Sequence, residues 1–81
     1  MPVYTLNRVT MLKDGTAVRQ VDYKRGTEVL SSIDEATSAL HSIMAGDIAD
    51  ANVVSSMHEI LNDSGRVVKC ERWVRTPIEE A

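Results

Sequence analysis

Two stretches rich in Val, Thr, Tyr and Ile bracket a third stretch whose apolar residues recur at helical spacing. The first runs from Val3 to Leu12, meets Lys13-Asp14-Gly15-Thr16 and resumes from Ala17 to Arg25. An Asp-Gly pair between β-forming runs predicts a hairpin, since a type I′ turn needs positive φ at both central residues. A two-residue loop there sets Leu12 opposite Ala17, Arg8 opposite Val21 and Leu6 opposite Tyr23.

The middle stretch opens on Ser32, with Glu35 three positions later. This spacing forms a capping box: the hydroxyl accepts from the Glu35 amide and the carboxylate reaches back. Asp34 and Glu35 also suit the positive end of a helix dipole. Ala36, Leu40, Ile43 and Met44 then share one face, with Ala39 beside them. Gly46 reads as the residue past the helix end, which predicts a helix over 33–45. Residues 47–52 read as a connection or a helical turn, with Asp47 and Asp50 in a solvated acidic loop.

Val53 to Leu61 and Arg66 to Arg75 flank Asn62-Asp63-Ser64-Gly65. That tetrapeptide suits a type I turn with Gly65 left-handed, giving a three-residue loop with a G1 bulge. The register this implies sets Glu59 opposite Lys69 and His58 opposite Cys70. A competing reading makes 53–61 a second helix, since Ser56 to Leu61 is helix-tolerant, but the Val-Val start and the turn chemistry favour a strand. The sequence around Asp14-Gly15 can be laid on that around Ser64-Gly65 with one insertion; shared turn chemistry is explanation enough for so short a match.

The pattern predicts an α+β domain over residues 1–76 of order ββαββ: hairpin 3–25, helix 33–45 and hairpin 53–75. The sheet is expected to be four-stranded and mainly antiparallel, with one amphipathic helix on one face. Residues 77–81 read as a short acidic tail. Strand order stays open, and a central parallel pair is one of several arrangements.

Alternation exposes a difficulty. In the first hairpin Tyr4, Leu6, Leu12, Ala17, Val21 and Tyr23 share one face, yet Val3, Val9, Met11 and Val18 share the other. In the second, Val54, Ile60, Val68, Cys70 and Val74 oppose Val53, Met57, Leu61, Val67 and Trp73. One helix covers one face, so the other needs a cover, and a second copy of the chain is the simplest. The expected interface is Val9, Met11, Val18, Val53, Met57, Val67 and Trp73, with Trp73 as anchor.

Composition narrows the function. At 81 residues the chain fits one small domain of marginal stability, which association would relieve. Cys70 is the only cysteine, so no internal disulfide helps. With no basic or apolar leader pattern at Met1-Pro2-Val3-Tyr4, this points to a reducing, cytoplasmic setting. No long apolar run suits a membrane span. No phosphate-loop, dinucleotide or His-Glu-x-x-His motif occurs, so neither cofactor nor metal is expected.

The expectation is therefore a non-enzymatic module that binds a protein or small ligand and acts as a homodimer. Two alternatives rest on particular residues. All nine Lys and Arg lie in the hairpins although the net charge is −3, so Arg8, Arg19, Arg25, Arg66, Arg72 and Arg75 are candidate contacts for nucleic acid or another anionic partner. The acidic balance and the scarcity of aromatics argue against nucleic acid. A Cys70/His58 pair, set face to face by the expected register, would let an imidazole activate a thiol. A small buried cysteine is the plainer account.

Overall fold

The computed structural model describes residues 2–21 and 29–75. Tyr23, Arg25 and the acidic tail 77–81 lie outside the described residues. Strands β1 (Thr5–Leu12) and β2 (Ala17–Gln20) precede helix α1 (Ile33–Ala49), and β3 (Val53–Leu61) and β4 (Val67–Val74) follow it. The sheet order is β2-β1-β3-β4 and every pairing is antiparallel, the central β1–β3 pair included. The ββαββ architecture is as expected, and a central parallel pair is excluded.

The first turn differs from expectation. Leu12 N–H donates to Thr16 O at 2.9 Å and Gly15 N–H to Leu12 O at 3.0 Å, so the loop has three residues. Gly15 takes positive φ, +89°. A type I′ turn would force Asp14 left-handed too; instead its carboxylate accepts from Thr16 N–H at 2.9 Å. The register moves by one residue, to Met11 opposite Ala17 and Thr10 opposite Val18.

The second turn is as expected and matches the first. Asn62 N–H donates to Arg66 O at 2.9 Å, Gly65 N–H to Asn62 O at 3.0 Å, and Gly65 has φ +82°. The ladder then slips: Leu61 pairs with Val67 but Ile60 pairs with Lys69, leaving Val68 as an extra residue. His58 therefore faces Glu71, and Cys70 faces Glu59.

The turns coincide at an offset of fifty residues, Gly15 on Gly65, and the extra residue lies after the second turn, at Val68, and not within the turn as the match of residues 11–19 to 60–69 implied. In the β1–β3 ladder, Arg8 and His58 are both direct partners and equivalent positions at that offset. A pseudo-two-fold axis of the sheet thus passes between them.

Helix α1 runs four residues beyond expectation, to Ala49, through Gly46. Its N-terminus is the expected capping box: Ser32 Oγ accepts from Glu35 N–H at 3.1 Å, and Glu35 Oε2 accepts from Ser31 N–H at 3.2 Å, one residue before the cap. No basic residue lies in the last turn. Arg75 supplies the cation from just past β4, donating from Nη2 to Ile48 O at 2.9 Å and Asp50 O at 3.0 Å. The buried stripe is Ala36, Leu40, Ile43 and Asp47. The first three pack with Leu6, Leu30 and Ile60, and Leu30 is tied to the start of the sheet by Tyr4 N–H donating to its carbonyl at 2.9 Å.

Replacing Ser32 with Ala should remove the cap and cost about 1 kcal/mol. In a domain of this size that lowers the melting midpoint by roughly 4–8 °C, readable by circular dichroism.

Candidate functional site

The face each residue takes follows from the ladder, because directly opposed residues share a face. Leu6, Arg8 and Thr10 of β1 lie under the helix with Ile60, His58 and Ser56 of β3. Lys69, Glu71 and Trp73 join them from β4, and Val18 and Gln20 from β2. The open face carries Val9, Met11, Ala17, Met57, Cys70, Arg72 and Val74.

Under the second half of the helix the layer is polar. Asp47 is 3% exposed and His58 2%, and Thr10 and Ser56 are buried beside them. Arg8 approaches Asp47 with both Nε and Nη2, forming a forked pair with the two carboxylate oxygens. Its Nη1 donates to Gln20 Oε1 at 2.8 Å. His58 Nε2 lies 2.9 Å from Asp47 Oδ2 and 3.3 Å from Ser56 Oγ. One carboxylate from the helix thus meets a cation and an imidazole from the two central strands, at the pseudo-two-fold axis. No buried side-chain polar atom among the described residues lacks a partner.

Burial pushes the His58 pKa below its ordinary value; Asp47 opposes this, and Arg8 works with burial against the imidazolium. A neutral His58 beside an acceptor-only carboxylate must carry its proton on Nε2.

Ser56, His58 and Asp47 bring to mind a hydrolytic triad, but the geometry excludes one. A triad uses opposite ring nitrogens for acid and nucleophile. Here both partners meet Nε2, which holds the proton and has no lone pair for Ser56. All three side chains are also buried. The network is structural.

The Cys70/His58 pair is not formed. Val68 shifts the strand by one residue, so His58 points under the helix while Cys70 is exposed on the open face. Asp47, expected in a solvated loop, is instead buried on the helix, at 3% exposure. Its sequence signal was its position eleven residues after Ala36, on the same helical stripe as Leu40 and Ile43.

Of the expected interface residues, Val9, Met11, Met57 and Val67 lie on the open face. Val18 and Trp73 move to the helix side through the two register shifts, and Val53 is buried at 3% exposure. Trp73 carries the Arg75 guanidinium 4.8 Å from its ring centre, so it packs within the chain. Among the candidate anion contacts, Arg8 is committed to Asp47 and Gln20, and Arg75 to helix carbonyls, while Arg25 lies outside the described residues. Arg19, Arg66 and Arg72 remain exposed.

A shallow depression beside the helix N-terminus is lined by Val29, Leu30, Asp34, Glu35, Ser38, Ala39 and Ser42. Glu35 is spent on capping there, and Asp34, Ser38 and Ser42 are exposed, so no buried polar group converges on a ligand. No helix among the described residues is long and apolar enough to cross a membrane. Comparisons of the chain with protein-family models, curated proteins and solved structures returned no match.

Asp47→Asn should lose about 3 kcal/mol or more in urea unfolding, because it leaves the Arg8 charge without its carboxylate. A second outcome concerns pH. With a folded pKa below the unfolded value of about 6.5, His58 binds its proton more readily in the unfolded chain. Its contribution is complete above that pH and is lost as pH falls through and below it. Urea midpoints should drop between pH 7.5 and 5.5, and His58→Gln should flatten that slope.

Proposed function

We propose that this chain is a non-enzymatic interaction module that works as a homodimer. What carries the reading is the apolar surface that one helix leaves uncovered. Val67 is 45% exposed, Val68 38%, Met11 37% and Val74 70%, although a chain this small has few apolar residues to spare from its core. The exposed residues gather on the open face and along β4, with Val9 and Met57 directly paired at the centre. Arg19, Glu59 and Arg72 stand among and around them, giving an apolar field with a charged surround, as at protein interfaces. The Asp47, Arg8, His58 and Ser56 constellation is sealed beneath the helix, which favours binding over catalysis.

Contact with an anionic partner is the lesser reading, since among the described residues Arg8 and Arg75 are spent within the fold, which leaves Arg19, Arg66 and Arg72 as the exposed candidates.

Light scattering at micromolar concentration should give twice the 8.9 kDa chain mass. A species of 8.9 kDa under those conditions overturns the proposal.

A further inference from the structure

We propose that two copies join edge to edge along β4, antiparallel and centred on Cys70, to make one continuous eight-stranded sheet. This rests on the homodimer reading above and places the contact on the rim of the sheet along β4, where Val68 and Val74 are exposed, so that the apolar open faces lie side by side and stay uncovered by it.

Among the described residues nothing pairs with the outer edge of β4, the longer of the two edge strands. Exposed edges of this length are templates for further pairing. The backbone limits the registers available. Arg75 N–H donates inward to Val54 O at 2.8 Å, so by antiparallel alternation residues 69, 71 and 73 also bond inward. Cys70, Arg72 and Val74 then direct their amides and carbonyls outward. A two-fold perpendicular to the sheet must set some residue opposite its own copy.

Charge selects among the centres. Centred on Lys69, Glu71 or Arg72, the pairing opposes two like charges at the axis, which destabilises a ladder. Centred on Cys70, it sets Lys69 of each copy opposite Glu71 of the other, twice, with Cys70 facing its own copy. Lys69 and Glu71 are both partly exposed on the helix side, at 39% and 30% of their side-chain surface, where Lys69 Nζ donates to Thr37 Oγ1 at 3.3 Å and Glu71 Oε2 lies 2.8 Å from His41 Nε2. Arg72 then faces Val68. Cys70 is the one centre of the four that is self-complementary.

The helices leave room for this contact. Each packs chiefly on β3 and less on β1. With strands about 4.8 Å apart, the two copies of β3 would lie roughly 14 Å from each other, more than a helix diameter of about 10–12 Å. The open faces of the two copies become one surface.

Cys70 reports the register directly. In a hydrogen-bonded antiparallel pair its Cα lies about 5.5 Å from its copy, within disulfide reach. With added diamide as oxidant, the full chain should form a covalent dimer through Cys70, two thiols giving one disulfide. A Cys70→Ser chain carrying Arg72→Cys should cross-link at least tenfold more slowly. Lys69→Glu should weaken dimerisation by about tenfold, the sum of two cross-strand pairs turned from attraction to repulsion. Lys69→Glu with Glu71→Lys should restore it, with circular dichroism confirming that each variant is folded. A dimer by light scattering whose Cys70 resists cross-linking, or in which the double reversal fails to rescue a folded single variant, overturns this register and leaves the homodimer standing. A monomer overturns both.

Discussion

A carboxylate in the layer between helix and sheet must be matched there, because an unpaired charge in that layer would cost several kcal/mol. Asp47 is that carboxylate, and its partners are the two residues at the centre of the sheet. Arg8 from β1 and His58 from β3 can both reach it only when the central strands are paired in this register and the last helical turns lie over them. The interaction therefore ties together three elements that are distant in sequence. It also accounts for a helix that continues through Gly46, since stopping earlier would release Asp47 from its partners.

This divides the helix–sheet layer into two halves of different character. Under the first turns, Ala36 and Leu40 pack on Leu6 and Ile60, an apolar contact without directional bonds. Under the last turns, directional bonds from Arg8, Gln20, His58 and Ser56 fix position and rotation. Arg75 closes the same end by taking up carbonyls the helix leaves free. A small apolar core thus gains definition from its polar end. The layer is used up in doing so, and the apolar side chains left exposed lie on the far side of the sheet and along its rim.

Much of this architecture was legible in the sequence. Ser32 and Glu35 marked the helix start, Gly15 and Gly65 marked both turns, and the apolar spacing separated helix from strands. Facing was less legible, because in a strand it depends on parity. A three-residue loop in place of a two-residue one sent Val18 to the helix side, and Val68 did the same to Trp73. The polar network was hidden for another reason. Gly46 has the form of a helix terminator, and only the neighbours that hold Asp47 override it. Arg8 and His58 are fifty residues apart, and nothing local announces that they meet.

Val68 has a consequence of its own. Because side chains alternate along a strand, one additional residue acts as a phase shift for everything downstream. It sends Lys69, Glu71 and Trp73 beneath the helix and turns Cys70, Arg72 and Val74 outward. The same composition read without it would bury a thiol and an arginine beside His58 and present a tryptophan to solvent. In β4, length is therefore a stronger determinant of surface chemistry than the identity of any one side chain. A change by a single residue there would exchange the two sides of the strand while leaving its hydrogen-bonded path intact.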